Sequence, residues 1–154
     1  MQSVFGFEIQ RAEVVALVRL VIAAVAGGAI GWNRFRAGKP AGIGTYALVA
    51  LGAALFVIIP AQIVSPHNSD ALSRVIQGIA TGVGFLGAGE IFRNSDTSGK
   101  AVHGLTSAAA IWVTAGVGVI AAVGPGFLVF SVITIILVIL EVAPPLERRF
   151  SSKP

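Results

Sequence analysis

Five apolar runs, at approximately residues 14–32, 43–64, 73–92, 104–123 and 126–143, account for most of this chain and dictate the solvent it must meet. Each run approaches the roughly 20 residues that an α-helix needs to cross the hydrocarbon core of a bilayer. Inside that core every backbone amide and carbonyl must find a partner within the protein, so a span is either a helix or a strand of a closed barrel. Barrel strands alternate apolar and polar residues over about ten positions. Residues 127–140 are instead apolar on every side. The predicted fold class is therefore all-α, a polytopic transmembrane bundle forming a single domain over residues 1–154. Composition excludes the soluble alternative: 55% of the residues are hydrophobic and 12% charged, against roughly a quarter charged in an ordinary soluble domain.

A net charge of +4 raises the question of nucleic acid, and the placement of the basic residues answers it. Arg34, Arg36 and Lys39 follow the first run, Arg93 and Lys100 the third, and Arg148, Arg149 and Lys153 the fifth. These positions share one side of the membrane. The excess of Lys and Arg makes that side cytoplasmic, with the N-terminus outside, the C-terminus inside and the Gly124-Pro125-Gly126 turn outside. The expected surroundings are the lipid bilayer and other membrane helices, not nucleic acid. Without cysteine there are no disulfides and no thiolate metal ligands. Ala24-Val25-Ala26 resembles a signal-peptidase site, but Glu8, Glu13 and Arg19 spoil the preceding signal pattern, so the first run is expected to persist as a span.

Glycine organises the spans. In lipid, helices associate by close packing, which small residues permit. Gly27 with Gly31, and Gly78 with Gly82, have the required four-residue spacing, and Gly84, Gly87 and Gly89 extend the smooth surface of the third run. These faces are the expected contacts for a membrane-protein partner or a second copy. A helix end, a basic loop and a Gly/Thr helix start also occur twice: Gly28 to Arg34 precedes Gly42-Ile43-Gly44-Thr45, and Gly87 to Arg93 precedes Gly104-Leu105-Thr106. A parallel two-helix repeat about an axis along the membrane normal would produce this pattern, with the fifth helix as an extra element. So would any two hairpins with Gly and Lys loops, and both readings stand.

Ionisable groups in spans are costly, by about 2.5–3.5 kcal/mol on insertion scales, so each requires a partner or a purpose. Arg19 lies within the first run, Asp70 and Arg74 open the third, Glu90 and Arg93 share its far end, and Glu141 ends the fifth. Arg19 can snorkel toward the interface. Asp70 and Arg74 have the spacing of a helix-start pair. Glu90 can pair with Arg93, Arg34 or Arg36, or bind an ion. Thr45 and Thr106 suit helix capping, and Trp32 and Trp112 suit interface anchoring or packing. Magnesium prefers carboxylate and water oxygens, and Asp70, Glu90, Asp96 and Glu141 make a thin supply. His67 and His103 fall on opposite sides. No metal site is assigned and no cofactor is expected. Ser107, His103 and Asp96 lack anything that would orient them as a hydrolytic set, so no catalytic residues are assigned and no enzyme is expected.

From about Arg19 to Arg149 the chain resembles the MgtC/SapB family of bacterial inner-membrane proteins. The resemblance rests on Arg19-Leu20, on Ala29-Ile30-Gly31 with Arg34, on Gly38-Lys39-Pro40-Ala41-Gly42 with Thr45, and on residues 47–56. It continues through residues 84–89 with Ile91-Phe92-Arg93, then Val102, Gly104-Leu105-Thr106, Ala108-Ala109 and Trp112. It implies a five-span membrane domain associated with growth in low magnesium and, in some members, with survival inside host cells. Many relatives continue into a soluble C-terminal domain, whereas this sequence ends at Pro154, so the membrane domain alone is expected. Asn33 stands where the family usually has Glu, Gly44 and Tyr46 stand where it has Arg and His, and Glu90 occupies a usually apolar position. Glu90 is expected to take over the role of the missing acidic group. The implied function is that of a regulatory or partner-binding membrane protein linked to magnesium homeostasis, with a small magnesium or other ion or solute transporter as the alternative.

Overall fold

The computed structural model describes residues 2–63, 69–94 and 104–151. These form five helices: α1 (Gln2–Arg36), α2 (Ile43–Ile63), α3 (Ser69–Asn94), α4 (Leu105–Val123) and α5 (Gly126–Ser151). All five are long and apolar enough to span a membrane, and no strand occurs among the described residues. The protein is thus an all-α polytopic bundle. Helices outrun the apolar runs because helical hydrogen bonding does not stop where the side chains become polar. At about 1.5 Å per residue, the 35 residues of α1 reach well beyond a hydrocarbon core about 30 Å thick. Likewise α5 continues through Pro144 and Pro145 to Ser151, although each proline removes the amide that would bond the carbonyl four residues back.

α4 is the axis of the bundle and packs against each of the other four helices. Over half of its span is buried, against 6% of the α3 span. The core is built from small residues and β-branched ones, among them Ala23, Ala26, Ile30, Val57, Ile111 and Val117. Its close approaches occur at three glycines. Cβ atoms at Gly27 and Gly31 would strike α2, the former meeting Ala50 Cβ at 2.8 Å and the latter Ile43 Cα at 2.7 Å, and a Cβ at Gly118 would strike the Ala50 backbone. Gly118 is an unanticipated member of this set. A Cβ at Gly87 would make ordinary contact with Ala108, at 3.5 Å, while among the described residues nothing lies within 4 Å of the Cβ positions of Gly78, Gly82, Gly84 and Gly89.

α1 ends in a way that fixes the neighbouring site. The Gly38 amide donates to the Phe35 carbonyl and the Lys39 amide to the Arg34 carbonyl, each at 3.0 Å. With Gly38 at φ 67°, this is the Schellman arrangement, which requires a left-handed residue just past the helix. The stop leaves Arg34 one turn inside α1 and returns the chain directly into α2. At α4, Gly104 occupies the N-cap position with φ 92° and no side-chain cap bond. The expectation that Thr45 and Thr106 cap helices is therefore corrected: both are exposed residues inside the first turns of their helices, and the N-cap of α4 is Gly104.

Candidate functional site

The ends of α1 and α3 and the beginnings of α2 and α4 converge on one buried polar cluster. Arg34, only 2% exposed, comes from the last turn of α1. Its Nη2 donates to Ser107 Oγ on the first turn of α4 at 2.8 Å. Tyr46, fully buried on the first turn of α2, donates its hydroxyl to the Ser107 carbonyl at 3.2 Å. Glu90, 7% exposed, closes the cluster from α3, and both it and Arg34 lie within electrostatic reach of the Tyr46 hydroxyl. Four helices thus each contribute one polar side chain to a space from which water is largely excluded.

A buried guanidinium is tolerable only when paired and hydrogen-bonded. Ser107 takes one donor, Glu90 supplies opposite charge nearby, and the buried Arg34 Nε has no acceptor among the described residues. The arrangement can hold four helix ends in register. Among the described residues no group of three potential ligands could hold a metal ion.

The other sequence-predicted residues are placed elsewhere. Arg19 lies at the opposite end of α4, where Nη1 donates to the carbonyls of Ala121 at 3.2 Å, Ala122 at 2.9 Å and Gly124 at 3.2 Å. It ties α1 to the last turn of α4. Asn33 turns away from Arg34 toward α5, where its amide donates to Glu141 Oε1 at 2.6 Å. Asp70 and Arg74 are both exposed, and among the described residues no ion pair joins them. Thr45 and Thr106 are exposed on the two helix starts that carry Tyr46 and Ser107. Trp112 donates its indole N–H to the Ala80 carbonyl at 3.2 Å, tying α4 to α3. Trp32 lies 6.0 Å from Phe35, ring centre to ring centre. The Arg93 side chain, together with His67, Asp96, Lys100, His103 and Lys153, lies outside the described residues. Sequence reasoning named Arg34 and Glu90 but gave no binding role to Tyr46 or Ser107; the available signal was that each directly follows the threonine of a helix start.

The sequence profile of the MgtC family matches residues 20–149, which contain every residue of this cluster. The chain belongs to the MgtC family. Protein SrpB of Synechococcus elongatus is 46% identical over 113 residues, covering 69% of this chain and 62% of that protein. A protein of Escherichia coli K12 named "Putative magnesium transporter YhiD" is 41% identical over 147 residues, covering 89% of this chain and 64% of that protein. Protein MgtC of Salmonella typhimurium LT2 is 41% identical over 108 residues, covering 70% of this chain and 43% of that protein. The chain thus spans less than two thirds of the length of these relatives. No solved structure matches it. Family membership and five apolar helices together make this a bacterial membrane protein.

Proposed function

We propose that this MgtC-family chain is a regulatory membrane protein linked to magnesium homeostasis that acts by holding another transmembrane helix against α3. One observation carries the reading: α3 is the least buried span and, with α2, lines an apolar groove of about 700 Å³. Gly52 of α2 and Gly78 and Gly82 of α3 line this groove. Glycines on both walls let an incoming helix approach closely enough for dispersion to hold it where the hydrophobic effect gives no drive. Within the chain, α3 is held against α4, where Gly87 meets Ala108 and the Trp112 indole bonds the Ala80 carbonyl, and among the described residues nothing occupies the Cβ positions of Gly78 and Gly82.

The test is site-directed crosslinking from the α3 face in native membranes, comparing wild type with Gly82→Leu. A discrete membrane-protein adduct that disappears in the variant, while the variant retains wild-type thermal stability, supports the reading. Absence of any adduct from positions along α3 removes it.

The second reading, a small magnesium or other cation transporter, is favoured by the buried Arg34, Tyr46, Glu90 and Ser107 cluster. Buried ionisable groups in membrane proteins mark ion pathways, and one relative carries a magnesium transporter name. Magnesium flux into liposomes, measured for wild type and Glu90→Gln at equal density, decides it. Flux that depends on Glu90 establishes transport, and no flux from folded protein leaves the docking role.

A further inference from the structure

The geometry points to a binding site for an anionic phospholipid in the groove between α1 and the α4–α5 turn, with the lipid phosphate on Arg19. This groove, of about 270 Å³, is separate from the α2–α3 groove and from the Arg34 cluster. Its walls are Val14, Val15, Val18 and Ile22 of α1 and Val129 of α5, and among the described residues Arg19 is the one charged residue that lines it.

Arg19 is half-buried, and its three hydrogen bonds among the described residues all run from Nη1 to neutral carbonyls of the α4 end. Those carbonyls carry the negative pole of the α4 dipole, equivalent to about half a charge, so they offset only part of the guanidinium. No carboxylate among the described residues pairs with it. The Nη1 bonds anchor one end of the guanidinium, and Arg19 lines the groove. A planar guanidinium presents paired N–H donors that match a phosphate better than a lysine would.

Membrane depth selects the ligand. Nineteen residues of α4 span about 28 Å, close to the thickness of the hydrocarbon core. The α4 end that Arg19 caps therefore lies near one membrane surface. A ligand arriving there in the plane of the bilayer with both an oxyanion and hydrocarbon is a phospholipid. The apolar walls take an acyl chain, and the uncompensated part of the Arg19 charge favours an anionic headgroup over a zwitterionic one.

The test is native mass spectrometry of the full chain in mixed micelles containing phosphatidylglycerol or phosphatidylcholine, with inorganic phosphate as competitor. Wild type is expected to retain one phosphatidylglycerol per chain in preference to phosphatidylcholine, undisplaced by inorganic phosphate. Arg19→Gln is expected to weaken retention about fivefold, the effect of one basic group at an anionic lipid surface. Val15→Trp, which fills the groove and leaves the Arg19 bonds in place, is expected to abolish retention and provides the deciding variant should Arg19→Gln fail to fold. Equal retention of the two lipids, retention unchanged in Val15→Trp, or displacement by inorganic phosphate alone would overturn the assignment.

Discussion

α3 and α4 are both glycine-bearing apolar spans joined in sequence, yet over half of the α4 span is buried and only 6% of the α3 span. Glycine content does not explain the contrast. α3 carries Gly78, Gly82, Gly84, Gly87 and Gly89, and among the described residues only Gly87 of these has a neighbour from another helix within van der Waals distance of where its Cβ would be. α4 carries Gly116 and Gly118, and Gly118 is pressed against the α2 backbone. A small residue permits close approach but does not compel it. What buries α4 is its central position, where four neighbours use its surface, and the polar cluster that fastens its first turn.

The largest effect that separates the two helices is expected from adding volume. Gly118→Val should force α4 from α2 and destabilise the bundle by about 3 kcal/mol, the upper part of the overpacking range. Gly82→Leu should change stability by less than about 0.5 kcal/mol, as for a surface substitution. Thermal unfolding of both variants in one detergent checks the pair, and equal losses would break the comparison.

Polar anchors should rank below packing. Ser107→Ala removes the acceptor from a buried guanidinium and should lose about 2 kcal/mol. Arg19→Ala strips the α4 carbonyls of their donor and should lose about 1 kcal/mol, with faster amide exchange confined to the last turn of α4. The smallest loss, about 0.5 kcal/mol, is expected for Asn33→Leu, which breaks a hydrogen bond on the exposed α1–α5 seam. A loss at Asn33 larger than that at Ser107 would mean that α5, not α4, organises this end of the bundle.

Much of this could be read in the chain before folding. Glu90 stood out because charge in an apolar span needs compensation, Arg34 was named as one of its possible partners from the basic stretch after the first run, and both are buried near the same tyrosine. Arg19 stood out for the same reason, but its destination did not. Its partners are backbone carbonyls more than one hundred residues away, and backbone groups leave no mark in sequence. Asn33 and Glu141 likewise reveal their pairing only when α1 and α5 are side by side. Capping was misassigned to Thr45 and Thr106 because threonine is a frequent cap, whereas the N-cap position of α4 is taken by Gly104.

Sequence by itself determined the solvent and the secondary structure: apolar runs of membrane length must be helical because lipid offers backbone groups no partner. Only the tertiary structure decided which glycines are contacts, which helix is central, and that Arg34, Tyr46, Glu90 and Ser107 meet. Lipid solvates every apolar helix face about equally, so hydrophobicity assigns no inner side. That choice falls to shape complementarity and a few long-range hydrogen bonds, which depend on how the helices are placed in three dimensions.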